Sequence, residues 1–200
     1  LLQEAGLKPE GIEVVFFGAD AGEEEVRNIK MSQQFSRSVS EPDALRPEVL
    51  LCYEMNGEPL PQEHGFPVRL IVPGWYGVAN VKWLSQIDIT DRRWAGRFMT
   101  RDYVTIREEV RPDGRKIWAQ KVVGPARLKS LPARVVSRDG HYRIEGAAWG
   151  GSIERVEVRV DNGPWRPAII TQGKDQPFAW KFWTLEWTDV TPGQHSITSR

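Results

Sequence analysis

The sequence contains little cysteine and little histidine. Its 200 residues include a single cysteine, Cys52, and three histidines, scattered at positions 64, 141 and 195. One cysteine cannot form a disulfide within the chain, and a thiol without a second cysteine nearby is a poor metal ligand. The apolar run around Cys52 predicts a buried, inert thiol. No His-x-x-x-His pair and no Gly-x-x-x-x-Gly-Lys-Ser/Thr motif occurs, so a self-contained metalloenzyme or hydrolase is not indicated.

The chain also lacks a charge excess and a long apolar run. Lys plus Arg and Asp plus Glu number 27 each, and without a basic block we expect no nucleic-acid partner. No apolar run approaches the roughly 20 residues that cross a bilayer, so we expect no membrane span. The chain begins at Leu1 and ends like an unfinished strand. We therefore expect that flanking segments, including any targeting signal, are missing from this sequence.

The first half has apolar runs typical of strands, joined by irregular segments. A helix-like start is followed by an apolar run at residues 12–17, and small and acidic residues at 18–22 predict a turn. Residues 23–47 are polar and predict a loop with one helical turn. The tight-turn pair Asn56-Gly57 separates two further apolar runs. Strands are predicted near residues 49–55, 68–72 and 81–90.

The second half has the pattern of short antiparallel strands. Residues 107–129 are charged and broken by Gly and Pro, which predicts a linker with one short strand. Valine and charge alternate along Val156–Val160, and Asp161-Asn162-Gly163 predicts a turn. The aromatic residues between Phe178 and Trp187 change phase, which suggests a bulge or a strand buried on both faces. Five or six such strands predict an all-β sandwich.

Basic and hydrogen-bonding residues that could bind an anion are concentrated between positions 53 and 103. His64 and Arg69 flank a strand entry, and the Gly/Pro loop at 73–77 is followed by Asn80 and Lys82. Cations beside a glycine loop with free backbone N–H groups suit a phosphate or another anion. The alternative is an Arg and a Lys solvated at a loop edge. The residue pattern alone indicates no more than a possible anion pocket.

Two stretches of sequence resemble a known family. Three segments of the first half strongly resemble the molybdopterin domain of the sulfite oxidase family: Tyr53–Pro61 (YEMNGEPLP), His64–Gly77 (HGFPVRLIVPGWYG) and Val81–Leu84 (VKWL). That family's immunoglobulin-like dimerisation domain is resembled by Gly146–Val158 (GAAWGGSIERVEV) and Asp161–Trp165 (DNGPW). The resemblance implies a mixed α+β, strand- and loop-rich C-terminal portion of the molybdopterin domain at residues 1–122. An all-β immunoglobulin-like dimerisation domain, truncated at its end, would follow at residues 123–200.

The resemblance also implies roles for individual residues. Tyr103, in Arg-Asp-Tyr, matches the active-site tyrosine of the family; otherwise it would be a strand tyrosine facing a core. Asn80 stands where family members often have serine, and both residue types form hydrogen bonds. The family's metal-binding cysteine is expected upstream, Cys52 does not match it, and no metal ligand is expected here. The residues implied to contact the cofactor are Asp20, His64, Arg69, Asn80, Val81 and Lys82.

The function implied is that of a molybdenum-cofactor oxidoreductase. Sulfite would be oxidised to sulfate by oxo transfer on Mo-molybdopterin, with electrons passing to a haem or cytochrome on a partner or separate domain. We expect the fragment itself to be inactive, the whole protein to be a homodimer through residues 123–200, and its location to be the bacterial periplasm. Open alternatives are a nitrate reductase-type enzyme, a sulfur-oxidation enzyme acting on protein-bound sulfur like a sulfane dehydrogenase, and a non-catalytic scaffold or interaction module.

Overall fold

Two compact units make up the structure, which is a computed structural model. It describes the backbone of residues 1–200 and every side chain except that of Val26. The first unit spans Leu1–Gly124 and the second Pro125–Arg200. The boundary expected from the sequence, between residues 122 and 123, lies two residues before this division.

The first unit is built almost entirely of strands. Its elements are α1 (Leu2–Ala5), β1 (Glu13–Val26), β2 (Ile29–Ser40), α2 (Glu41–Ala44), β3 (Leu50–Cys52), β4 (Glu54–Met55), β5 (Glu58–Pro59), β6 (Arg69–Ile71), β7 (Leu84–Thr90), α3 (Arg97–Thr100), β8 (Val104–Val110) and β9 (Lys116–Val122). Two 3₁₀ turns, Gln62–His64 and Gly77–Ala79, lie on either side of β6.

The expectation of a mixed α+β first half is wrong. Only 9% of the chain is helical and 49% is strand, and each described α-helix is four residues long. The largest difference is the hairpin β1–β2. Its first strand begins in the apolar run at residues 12–17, as predicted, but the hairpin continues through residues predicted as a turn and a loop. The small residues at 18–22 are absorbed by a register shift between Phe17 and Ala21, and the hairpin instead turns at Arg27-Asn28, both with positive φ. No described helix has the length and apolar character required to cross a membrane.

One antiparallel sheet, in the order β2-β1-β7, supports the first unit. Alternate residues of its middle strand, Val14 and Phe16, enter a core with Val39 of β2 and with Leu70 and Val81 from the segments beyond. Burying a side chain of this size stabilises the folded state by about 1.5–3 kcal/mol. Two-stranded pairs, β3–β6, β4–β5 and β8–β9, complete the unit. The core therefore fixes both β6 and the segment before β7.

The second unit contains strands only among its described elements: β10 (Lys129–Arg138), β11 (His141–Trp149), β12 (Glu157–Val160), β13 (Arg166–Pro167), β14 (Ile169–Gln172), β15 (Lys181–Trp187) and β16 (Ile197–Ser199). They form a four-stranded sheet, β10-β11-β15-β14, and a three-stranded sheet, β13-β12-β16. Ile144 of β11, Val158 of β12 and Trp183 of β15 share one buried cluster. Side chains from both sheets therefore meet in one core, as in a two-layer β packing.

Two local predictions for residues 107–187 are wrong. The stretch predicted as a linker forms the hairpin β8–β9 and the start of β10. The aromatic phase change is not a bulge within one strand, because Phe178 and Trp180 precede β15. Within β15 itself Trp183 and Trp187 are buried and Phe182 is exposed, which is ordinary alternation on one strand.

Candidate functional site

A cationic cluster, defined here as His64, Arg69 and Lys82, surrounds one turn of the first unit. His64 ends the 3₁₀ turn, Arg69 begins β6, and Lys82 precedes β7. The Arg69 guanidinium donates to the His64 carbonyl at 2.9 Å, and the Lys82 ammonium donates to the Glu63 carbonyl at 3.0 Å. The structure thus brings the Arg69 guanidinium and the Lys82 ammonium to the backbone of the His64 turn, as the sequence pattern suggested.

Gly65 allows this close approach. Its φ is +109°, and a Cβ at this position would lie 3.1 Å from the Cβ atoms of both Arg69 and Lys82. A side chain other than hydrogen would therefore be strained in its backbone and crowded by both cationic residues. The glycine lets the loop backbone lie directly against Arg69 at the start of β6 and Lys82 before β7.

Arg69 and Lys82 have no described carboxylate as a hydrogen-bond partner. Every hydrogen bond that their side chains donate within the described structure ends on a backbone carbonyl. The Nε of Arg69 is buried without a partner, and the Lys82 ammonium lies 4.3 Å from the ring centre of Trp83. Cationic groups without counter-ions, beside a glycine turn, suit an anionic ligand such as a phosphate. The residues present therefore fit the phosphate end of a pterin cofactor.

Asn80 and Val81 connect this cluster to strand β6 and to the residue that follows it. The Asn80 side-chain oxygen accepts from the Val72 amide at 2.6 Å, and its carbonyl accepts from Arg69 at 3.3 Å. Val81 is fully buried in the core, and its carbonyl accepts from the Leu70 amide at 2.8 Å. Any contact of Val81 with a ligand must therefore involve its backbone.

Asp20 lies beside the cluster through a backbone connection. The Ala19 amide donates to the Trp83 carbonyl at 2.8 Å, which ties the Asp20 segment to the residue after Lys82. Asp20 is exposed and lines a cleft of about 370 Å³ together with Phe35 and Phe98. The backbone next to Asp20 is thus bonded to the segment of Lys82, whereas the Asp20 side chain lines a cleft with Phe35 and Phe98.

Tyr103 lies in a separate group of side chains. Its side chain is 41% exposed, it immediately precedes β8, and its ring centre is 6.3 Å from that of Phe98. It is thus not a strand tyrosine facing a core. No described hydrogen bond or ring contact joins Tyr103 to the cationic cluster.

A further arginine, Arg37, lies beside Tyr103 and was not predicted from the sequence. Arg37 is 1% exposed, within four consecutive buried residues of β2, and its Cζ is 5.9 Å from the ring centre of Tyr103. The only signal in the sequence is an arginine between two serines before Val39, and nothing local predicts its burial. Its partners are distant in sequence.

The described residues contain no group of three or more His, Cys, Asp and Glu side chains that could hold a metal ion. Cys52 is half-buried rather than buried as predicted, and its thiol donates to the Glu54 carbonyl at 3.1 Å. A molybdenum ligand is not apparent in these residues. What the described site offers is two cationic side chains, those of Arg69 and Lys82, that donate to no described carboxylate.

The first unit belongs to the molybdopterin-binding class of domains. Residues 1–98 match the family model described as the oxidoreductase molybdopterin binding domain. Mitochondrial sulfite oxidase of Drosophila melanogaster is 34% identical over 203 residues, covering 92% of this chain and 34% of that protein. The chain belongs to the sulfite oxidase family of molybdopterin oxidoreductases, as its sequence motifs predicted.

Two further relatives mark the breadth of this family. Nitrate reductase [NADH] 2 of Phaseolus vulgaris is 28% identical over 179 residues, covering 76% of this chain and 20% of that protein. The crystal structure of the sulfane dehydrogenase SoxCD from Paracoccus pantotrophus matches with a TM-score of 0.70 and 34% identity, covering 93% of this chain and 45% of that one. The chain spans about a third of the length of the sulfite oxidases that it matches.

Proposed function

We propose that the full-length protein oxidises sulfite to sulfate with a bound molybdenum cofactor and passes the electrons to a haem or cytochrome acceptor. The observation that carries the proposal is the cationic cluster, in which neither Arg69 nor Lys82 donates to a described carboxylate. The similarity to sulfite oxidases over most of the chain supports sulfite as the substrate.

The residues of this chain would bind and orient the reacting groups. Arg69 and Lys82 offset the charge of the cofactor phosphate, Arg69 with a planar fork and Lys82 as a point charge. His64 would donate a ring hydrogen bond to the phosphate or to the pterin. When bound, the cofactor supplies two-electron redox and oxo-transfer chemistry. Tyr103, with a partly exposed phenol, donates a hydrogen bond that orients the substrate oxyanion.

The decisive experiment compares cofactor content in matched variants of the full-length protein. Replacing Arg69 and Lys82 together by methionine removes both charges and retains the long side chains. We expect molybdenum and pterin per protein to fall at least about tenfold, since each charged hydrogen bond contributes roughly 1.5–3 kcal/mol. Lys116→Met is the control, because this exposed lysine of the same unit pairs with Glu108 at 2.8 Å. Unchanged cofactor content in the double variant would refute the assignment of the cluster.

Steady-state assays test the substrate. We expect sulfite oxidation by the full-length holoenzyme, with Tyr103→Phe slowing turnover while cofactor content stays intact. We expect no turnover by the 200-residue chain alone. A second candidate substrate is protein-bound sulfane sulfur, favoured by the match to the SoxCD structure over 93% of this chain. A third is nitrate, which would be reduced rather than oxidised. A protein without molybdenum would instead be a scaffold.

The second unit is proposed to mediate homodimer formation. Trp180 stacks on Trp149 with ring centres 4.7 Å apart, yet Trp180, Phe178 and Phe182 remain about half exposed. Large aromatic side chains are typical anchors of protein interfaces. Light scattering should give the mass of a dimer for the full-length protein, and Trp180→Ser with Phe182→Ser should give a monomer. A monomeric native protein would exclude this role.

The location proposed is the bacterial periplasm, where a soluble cytochrome could accept the electrons. The support is family resemblance alone. Fractionation of cells that produce the full-length protein from its own gene tests it, and recovery with cytoplasmic markers would refute it. Reduction of a purified cytochrome in the presence of sulfite tests the acceptor.

A further inference from the structure

Arg37 is a buried cation whose hydrogen bonds all go to the backbone. It is 1% exposed on β2, and its two terminal nitrogens donate to the carbonyls of Phe98 and Val123. Its Nε is buried and has no partner in the described structure. Burial of a charge is costly unless its hydrogen bonds are made. The position of this guanidinium therefore depends on the two carbonyls that it holds.

The two carbonyls lie at the ends of one segment, residues 98–123, which includes Tyr103 and the β8–β9 hairpin. The amide of Val123 also donates to the carbonyl of Tyr103 at 2.9 Å. Arg37 thus bonds both ends of the segment to β2. Tyr103 is hydrogen-bonded to one of these ends, at Val123. A two-stranded hairpin is marginally stable alone, so this base contributes to its placement.

Aromatic contacts also link Tyr103 to strand β2. The Cζ of Arg37 lies 5.9 Å from the Tyr103 ring centre, and the Phe98 ring is 6.3 Å from that ring. Phe98 in turn packs on Phe35 of β2 at 4.8 Å. Strand β2 therefore contacts Tyr103 directly through the Arg37 guanidinium and indirectly through Phe35, which packs on Phe98.

Carboxylates near this segment are engaged with other arginines. Arg97 pairs with Glu24 and with Asp102, and Arg101 also pairs with Glu24. Arg37 forms no hydrogen bond to a described carboxylate. Its burial lowers the pKa of the guanidinium and the neighbouring Tyr103 opposes that change, but an arginine stays charged near neutral pH.

We propose that Arg37 is a positioning residue that fixes the orientation of Tyr103 by joining the two ends of segment 98–123 to β2. The proposal rests on the proposed function in one respect, namely that the Tyr103 phenol orients the substrate. Arg37 itself is buried and does not touch substrate. Its effect on turnover must therefore pass through Tyr103.

A double-mutant cycle in the full-length holoenzyme tests this dependence. Arg37→Met should lower kcat by roughly tenfold to a hundredfold, because a small misplacement of a reacting group has effects of that order. In the Tyr103→Phe background the same change should lower kcat by less than about twofold, since coupled residues are not additive. Arg37→Lys retains the charge and should recover part of the loss. An equal decrease in both backgrounds would refute positioning through Tyr103.

A second measurement does not depend on activity. In protein labelled with 3-fluorotyrosine, the resonance absent from Tyr103→Phe identifies Tyr103. We expect Arg37→Met to shift or broaden this resonance and to leave the other tyrosine resonances unchanged. The control is Lys181→Met, because Lys181 is 2% exposed and also donates to two backbone carbonyls, but in the second unit.

These outcomes separate the two proposals. A native holoenzyme without sulfite turnover would refute the proposed substrate, whereas the fluorine spectrum would still decide the role of Arg37. A Tyr103 resonance that is the same in Arg37→Met and in the native protein would overturn the inference. If Arg37→Met does not fold, Arg37→Lys is compared with the native protein instead; because one ammonium replaces the two guanidinium nitrogens that donate to Phe98 and Val123, it should still shift the Tyr103 resonance, by less than the loss of the charge would.

Discussion

Replacing Gly65 by alanine tests whether a glycine is required where the loop meets the cationic cluster. The backbone penalty for a positive φ is about 1–2 kcal/mol for a residue with a Cβ. The added Cβ would also lie 3.1 Å from the Cβ atoms of Arg69 and Lys82 and 3.2 Å from the Lys82 Cα. Relieving such crowding costs roughly 1–3 kcal/mol. The expected loss in free energy of unfolding is therefore about 2–5 kcal/mol.

A matched glycine separates the two contributions. Gly57 also has a positive φ, +82°, but a Cβ there would meet no atom within 4 Å. Gly57→Ala should therefore incur only the backbone penalty of about 1–2 kcal/mol. Urea unfolding of both variants measures the difference. Because the crowded atoms belong to the cationic residues, Gly65→Ala should also reduce cofactor content in the full-length protein, and Gly57→Ala should not. Equal stability losses and equal cofactor contents would refute this reasoning.

Three further outcomes are expected. Trp183→Ala, at a fully buried side chain, should lower the free energy of unfolding by about 3–5 kcal/mol in urea titrations; a loss below 1 kcal/mol would contradict its place in the core. Glu13→Ala leaves two donors to that carboxylate unpaired, the buried Ser38 hydroxyl at 2.6 Å and the Trp94 amide at 2.9 Å, and should cost about 1–3 kcal/mol for each in the same titrations; an unchanged stability would contradict these contacts. The hydrogen bond to Asp161 raises the pKa of His195. The pair therefore stabilises the fold fully below the ordinary histidine pKa of about 6.5, and this contribution is lost as the pH rises through the higher pKa of the folded state. His195→Gln should flatten that part of a curve of unfolding free energy against pH, and an unchanged curve would exclude the pair as its source.

The cationic cluster could be predicted from sequence because its parts are close together in the chain. The Lys82 ammonium meets a carbonyl 19 residues away, and the Arg69 guanidinium meets one five residues away. Residues 63–82 contain the glycine, both cationic residues and the strand between them. The contacts of Arg69 and Lys82 therefore lie within one local motif of the sequence.

The environment of Tyr103 could not be predicted in this way. Arg37 reaches Phe98 over 61 residues and Val123 over 86 residues. These contacts depend on the β1–β2 hairpin, of which only the apolar run at residues 12–17 was predicted as a strand. The outer part of the hairpin is mostly exposed and polar, so it lacks the apolar alternation by which a strand is recognised. A polar strand pair was therefore missed, and with it the buried arginine that it carries.

Burial of a cation among carbonyls does not by itself indicate function, as Lys181 demonstrates. Lys181 donates to the carbonyls of Gly173 and Gln176, eight and five residues before it, and thus closes only a local turn. Arg37 joins two points that are far apart in the chain, and one of them also holds the backbone of a partly exposed tyrosine. Loss of the Lys181 hydrogen bonds can be confined to one turn. Loss of the Arg37 hydrogen bonds instead releases both ends of segment 98–123, which contains the β8–β9 hairpin. The effect of Arg37 on Tyr103 therefore follows from where its two acceptors lie, and not from burial or charge alone.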